Sequence, residues 1–153
     1  MIVHVAACKR DTVLGVTIGY RIYKTLGLTL VVWHGAITGD EAVDQVRRLR
    51  DDPDWPPGPL HLLDTTSVTS APNTANTKLV ELLTEIAEGK VIRFAVVASG
   101  ALAEATKFQT EATAAGVSQV VVFSDLNAAC SWLDIDFDAT RATLDDLRGT
   151  LRG

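Results

Sequence analysis

The spacing of apolar and polar positions changes period along the chain, and the period sets the element each stretch predicts. Tyr20-Arg21-Ile22-Tyr23-Lys24 mixes aromatic and β-branched residues with polar ones, and Leu28-Thr29-Leu30-Val31-Val32-Trp33 resumes after Leu26-Gly27, which predicts a β-hairpin. Thr38-Gly39-Asp40-Glu41 fits a capping box, the threonine oxygen accepting from an early helix amide while the glutamate reaches back. The helix it opens carries Val43, Val46 and Leu49 on its apolar stripe, Arg47, Arg48 and Arg50 on its wet side, and Pro53 as its stop. Leu60-His61-Leu62-Leu63 is a short, nearly all-apolar run of the kind a strand covered on both faces shows, ending at Asp64. The polar tract Thr65-Thr66-Ser67-Val68-Thr69-Ser70 follows, then a helix with Leu79, Leu82, Leu83 and Ile86 on one face and Gly89 as its stop.

The unit then repeats. Ile92 to Val97 reads as a strand, Ser99 as the cap of a helix lined by Ala101, Ala105, Phe108 and Ala112, and Gly116 as its end. Val117 to Phe123 is a further strand, Ser124-Asp125 opens a short helix with Leu126, Ala129, Cys130 and Leu133 inward, and Asp138 to Leu151 forms a last amphipathic helix. The order β-β-α-β-α-β-α-β-α-α predicts a single three-layer α/β domain over 18–153, with a mixed, mostly parallel sheet of about five strands and an N-terminal hairpin. Residues 1–17 show no clear period and are expected to trail as an extension or to add an edge strand.

Composition narrows the function classes. The 153 residues suit one hydrophobic core, and 47% hydrophobic with 22% charged residues describes an ordinary globular chain. A net charge of −5 with interspersed signs offers no basic stripe for a phosphate backbone, so nucleic acid is not an expected partner. Cys8 and Cys130 are too few and too far apart for a disulfide framework or a CxxC site, which fits a reducing cytoplasm. No apolar run approaches the ~20 residues of a membrane span.

From about Gly19 to Leu133 the chain resembles the SpoIIAA-like group of STAS/SEC14-type bacterial domains. The residues that carry the resemblance are Trp33-His34-Gly35 at the end of the hairpin, the Thr38-Gly39-Asp40-Glu41 helix start, the Asp52-Pro53-Asp54-Trp55 loop, the Leu62-Leu63-Asp64 strand end and the late Ala128-Ala129-Cys130-Ser131-Trp132-Leu133 helix. The resemblance implies a regulatory, protein-binding module, and the SEC14-type relatives imply a lipid or other apolar ligand. In the anti-sigma-factor antagonists of that group a serine in an Asp-Ser-Ser-Gly type motif is phosphorylated. Here the corresponding stretch reads Val68-Thr69-Ser70-Ala71-Pro72-Asn73, so the phospho-switch does not carry over.

In open α/β sheets ligands gather beyond the carboxyl ends of the strands. Those ends carry His34-Gly35, Asp64-Thr65-Thr66-Ser67, Ser99-Gly100 and Ser124-Asp125. The expected partner- or ligand-binding residues are therefore His34, Asp64, Thr65, Thr66, Ser67, Ser70 and Ser99, and helix starts nearby could hold an anionic group. The competing reading is that the same residues only cap helices and turns, which need these residue types. Asp64 is a candidate general base or, more simply, a partner of the turn that follows it. His34 and His61 on neighbouring strands could pair, but no third metal ligand is apparent. Neither GxGxxG, GxxxxGK[ST] nor GxSxG occurs. The expectation is a non-catalytic module with no cofactor and no metal, meeting a protein partner or a small apolar or anionic ligand. An enzyme using Asp64 with a histidine is the lowest-ranked alternative.

Overall fold

The structure, a computed structural model, describes residues 12–14, 17–55, 57–70, 80–81, 84–85, 92–99, 102–116 and 119–152. Six strands form one sheet: β1 (Thr12–Leu14), β2 (Ile18–Tyr23), β3 (Leu28–Ala36), β4 (Leu60–Ser70), β5 (Arg93–Val97) and β6 (Val120–Phe123). They lie side by side in chain order; β2 pairs antiparallel with both β1 and β3, and β3 through β6 run parallel. The sixth strand is Thr12–Leu14, which pairs with Ile18–Tyr20 at the sheet edge. Among the described residues, the helices α1 (Gly39–Asp51), α2 (Leu102–Ala114), α3 (Leu126–Leu133) and α4 (Phe137–Arg152) cover the sheet. Val80, Glu81, Thr84 and Glu85 are also helical.

The order of the parallel strands never reverses, so right-handed crossovers place their connecting helices on one face. The packing agrees. Ala42 and Leu49 of α1, Val80, and Ala112 of α2 share a core with Ile18, Tyr20, Val31, Trp33, Leu63, Phe94 and Val96. The other face is covered by the last two helices, through Ala129 and Leu133 of α3 and Leu144, Leu147 and Leu151 of α4. Odd and even positions of β4 and β5 divide between these cores, as the twofold repeat of a strand requires.

The hairpin, the capping box and the two C-terminal helices follow the sequence pattern closely. Lys24–Leu26 form one 3-10 turn between β2 and β3, closed by Gly27 at φ +63°. A Cβ on Gly58 would lie 2.6 Å from the Gly27 Cα, so Gly58 lets the chain entering β4 pass close enough for Leu60 N–H to donate to Gly27 O at 3.0 Å. Thr38 and Glu41 make both bonds of the capping box. Cys130 is buried, and burial first of all pushes its thiol pKa up, which leaves it an inert part of the core. Val43, Val46, Leu79, Leu82, Leu83, Ile86, Gly89, Ala101, Ala105, Phe108 and Cys8, assigned from sequence, lie outside the described residues or side chains.

One boundary differs. The strand expected to end at Asp64 continues to Ser70 as the eleven-residue β4. Thr65, Thr66, Val68 and Thr69 are β-branched, and that preference for extended backbone outweighs the polarity that suggested a loop. Its partner β3 extends to Ala36 alongside. β4 carries one extra residue between the Val32–Asp64 and His34–Ser67 pairs and another between the Gly35–Val68 and Ala36–Ser70 pairs. Gly35 meets the second irregularity at φ +77°, a conformation glycine adopts without steric cost.

Candidate functional site

The sheet registers fix where the polar strand ends lie. Asp64 is level with Val97 on β5, and Val97 is level with Phe123 on β6. Asp64, Ser99 and Ser124 therefore sit at one edge of the sheet, while β3 and β4 project past that edge as a two-stranded arm ending at Ala36 and Ser70. His34 and Ser67 are paired residues within the arm. Ser70 is exposed and caps the arm through its carbonyl, which accepts from Ile37 N–H at 2.8 Å.

Asp64 is only 4% exposed at its side chain and is fully engaged. Its Oδ2 receives the Arg148 guanidinium from α4, and its Oδ1 accepts from Thr66 N–H at 2.8 Å and Thr66 Oγ1–H at 2.7 Å. Arg148 also donates to Asp145 Oδ1 at 2.6 Å. Burial works against the guanidinium charge, but the Asp145 and Asp64 carboxylates more than offset it and move the Arg148 pKa up. Thr65 Oγ1–H donates to Val97 O at 2.9 Å, which holds β4 to the end of β5 where the backbone ladder stops. The arrangement makes Asp64 a fixed ionic joint between sheet and last helix. Both oxygens of the carboxylate are occupied by these internal bonds.

The two histidines do not pair. His61 is level with Thr29 near the start of the strands, whereas His34 is level with Ser67 in the arm. His61 is buried between the rings of Trp55, with centroids 5.2 Å apart, and Phe94, at 6.1 Å. Among the described residues neither of its ring nitrogens has a hydrogen-bond partner of good geometry, and burial pushes its pKa down to about 4, opposed in small part by the Gly58 backbone. Among the described residues no group of three His, Cys, Asp or Glu side chains is placed to hold a metal ion. No described helix is long and apolar enough to cross a membrane.

Ser99 is exposed just beyond β5, where Ala98 N–H still donates to Phe123 O at 2.9 Å. At the next helix start Asp125, rather than Ser124, provides the cap, its Oδ1 accepting from Asn127 N–H at 3.3 Å. A separate apolar cleft of about 50 Å³ opens between α4 and the start of β3. Tyr23, Leu28, Leu30, Ile135 and Ala139 line it, with the half-exposed Leu26 beside them.

No protein-family model and no curated protein matches the chain. It is similar in structure to an uncharacterised protein of the DUF3478 family with a SpoIIAA-like fold from Shewanella loihica, at 16% identity and a TM-score of 0.48, over 81% of this chain and 98% of that one.

Sequence reasoning did not find Arg148. Its partner lies 84 positions away, and the only local sign is its place directly after Leu147, on the border of the stripe formed by Leu144, Leu147 and Leu151. The second such contact, Arg21 to Asp146 at 3.1 Å, was equally silent, because an arginine inside a hairpin strand reads as an outward residue. Here it is 8% exposed at its side chain.

Proposed function

We propose that the protein is a non-catalytic, STAS-like interaction module of the cytoplasm, meeting a protein partner through the arm and the adjoining sheet edge. His34, Ser67, Ser70 and Ser99 form the contact surface, with Asp64, Thr65 and Thr66 as the joint that holds it. The observation that carries this reading is the register that aligns Asp64, Val97 and Phe123 and leaves β3 and β4 extended beyond them. A parallel sheet whose strand order never reverses has no switch-point crevice at its carboxyl edge. A projecting ribbon of short polar side chains suits a protein surface better than a buried metabolite. The engaged state of Asp64 argues against its use as a base.

The test is affinity capture from a bacterial lysate with His34→Ala/Ser70→Arg as the comparison bait, a pair that leaves the Asp64–Arg148 joint intact. Recovery of a defined partner should fall roughly tenfold, the worth of one well-placed contact. Equal recovery from both baits removes the arm from the interaction surface.

A second reading, a carrier of a small apolar ligand, is favoured by the cleft between α4 and β3. Native mass spectrometry of the protein from several expression hosts tests it. A co-purified mass that disappears in Ala139→Phe supports the cleft as its seat, and an apo mass from every host removes the reading.

A further inference from the structure

β6 is the last strand of the sheet, and among the described residues nothing pairs beyond it. Its sequence, Val120-Val121-Val122-Phe123, contains no charge, proline or glycine. Charges and proline are devices by which exposed edges avoid joining a strand of another molecule, and of the usual protections β6 has in its own sequence only its short length of four residues. Short apolar β-branched runs of this kind are the ones that pair most readily.

The hydrogen bonding shows which backbone groups face out. Phe94 N–H donates to Gln119 O at 2.8 Å and Ala98 N–H to Phe123 O at 2.9 Å, so the carbonyls of 119 and 123 point to β5. By the twofold repeat of a parallel ladder, Val121 points the same way and Val120 and Val122 present their N–H and C=O groups to the open side. At the middle of that open side stands Gln109 of α2, whose side-chain Oε1 accepts from Val122 N–H at 3.2 Å. The helix that delivers β6 also supplies a side-chain amide in the place where a neighbouring strand's carbonyl would dock.

We propose that Gln109 is an edge cap that closes β6 to strand addition, and that the partner it excludes is the β6 edge of a second copy of this chain. A second copy related by a twofold axis would bring the same apolar run antiparallel to the first and continue the sheet across the interface. The bond to Gln109 must break before that ladder can form.

The full chain is compared with Gln109→Met, which keeps side-chain length but has no acceptor of comparable strength, and Gln109→Glu, which keeps the acceptor. Light scattering coupled to size exclusion follows mass against concentration. Gln109→Met is expected to rise towards double the parent's mass at concentrations where the parent and Gln109→Glu stay monomeric. In the monomer its Val122 amide should exchange with solvent roughly tenfold faster, with the inward Val121 and Phe123 amides unchanged. If Gln109→Met is recovered only as aggregate, Val121→Lys is added. Val121 lies on the edge strand outside both described cores, and a lysine there restores a charged gatekeeper. Return to monomer supports the cap, and continued aggregation overturns it. Equal mass for parent and Gln109→Met across the range also overturns it, as does a parent that already dimerises through β6.

Discussion

The two faces of the sheet bury polar groups in opposite ways. Under α3 and α4 they are matched. Arg148 joins Asp64 and Asp145, Arg21 meets Asp146, and the Tyr23 and Thr143 hydroxyls share a 2.8 Å hydrogen bond. Under α1 and α2 several stand alone. Among the described residues, Thr29 Oγ1, Trp33 Nε1 and Gln45 Oε1 are buried without a hydrogen-bond partner, and neither nitrogen of His61 has one of good geometry. Charge cannot be buried unmatched without a cost of several kcal/mol, whereas a neutral hydroxyl, amide or imidazole costs about 1–3 kcal/mol. The face under α3 and α4 therefore pairs its buried ions with ions, whereas the other holds the buried Asp52 carboxylate through the Tyr20 hydroxyl, which donates to its Oδ2 at 2.8 Å, beside the groups it leaves unmatched. The difference places the polar joint of the candidate surface on the matched side and the sensitivity to acid on the other.

Removing apolar mass from the matched face should give the largest effect. Leu144 of α4 is fully buried, and Leu144→Ala should cost about 3–4 kcal/mol in denaturant unfolding. A cost under about 1 kcal/mol would mean that α4 unfolds apart from the sheet, and the matched face would lose its meaning as a single core.

Next comes the ion pair. Arg148→Ala strands the Asp64 carboxylate in the core and should cost about 3 kcal/mol, while Asp64→Leu/Arg148→Leu, which removes both charges, should recover most of that loss. If the double variant is as unstable as the single one, the joint contributes through packing and the contrast between the faces weakens.

The opposite face answers to pH. The unfolded chain protonates His61 near its ordinary value of 6.5, but the folded chain resists until about 4. The stability associated with neutral His61 is complete above pH 6.5 and is lost as the pH falls from 6.5 towards 4. The total is roughly 3 kcal/mol, of which about 1 kcal/mol goes between pH 7.5 and 5.5. Unfolding curves at those two pH values measure it, with His61→Leu as the reference that should lack this component. Equal pH slopes for both proteins would show that His61 keeps a partner in the folded chain.

What the sequence revealed of this contrast depended on range. Wherever an element is fixed by neighbours in the chain, its outline was legible: the Thr38–Glu41 box, the Ala129, Cys130 and Leu133 stripe, and the Leu28 to Trp33 run. Polarity misled at Thr65 to Ser70, where the residues are polar but β-branched and the strand continues because β3 runs beside it. The candidate surface was half legible. Its positions on strands follow from local pattern, but the partner that occupies Asp64 comes from the far end of the chain. No local pattern distinguishes that arginine from the exposed Arg47, Arg48 and Arg50. The same holds for Gln45, which sits on a helix among charged residues and is nevertheless 1% exposed.

The smallest effect tests whether the two helical layers are equally part of the folded unit. Thr38 caps α1 on the unmatched face, accepting from Glu41 N–H at 3.1 Å, and Asp136 bonds the first turn of α4 on the matched face, accepting from Ala139 N–H at 2.7 Å. Each replacement by alanine removes one cap, and caps are worth about 1 kcal/mol. The Thr38 cap is also tied to the sheet, because the Glu41 carboxylate that completes it accepts from Thr17 Oγ1–H at 2.6 Å and from Thr38 N–H. The Thr17 bond first and the Thr38 amide next hold the Glu41 pKa down. Thr38→Ala should therefore cost as much as Asp136→Ala in global unfolding, about 1 kcal/mol each. If only Asp136→Ala registers while the amides of α1 exchange faster in Thr38→Ala, then α1 opens separately from the sheet. The unmatched polar groups beneath it would then reach water through that opening without unfolding the rest.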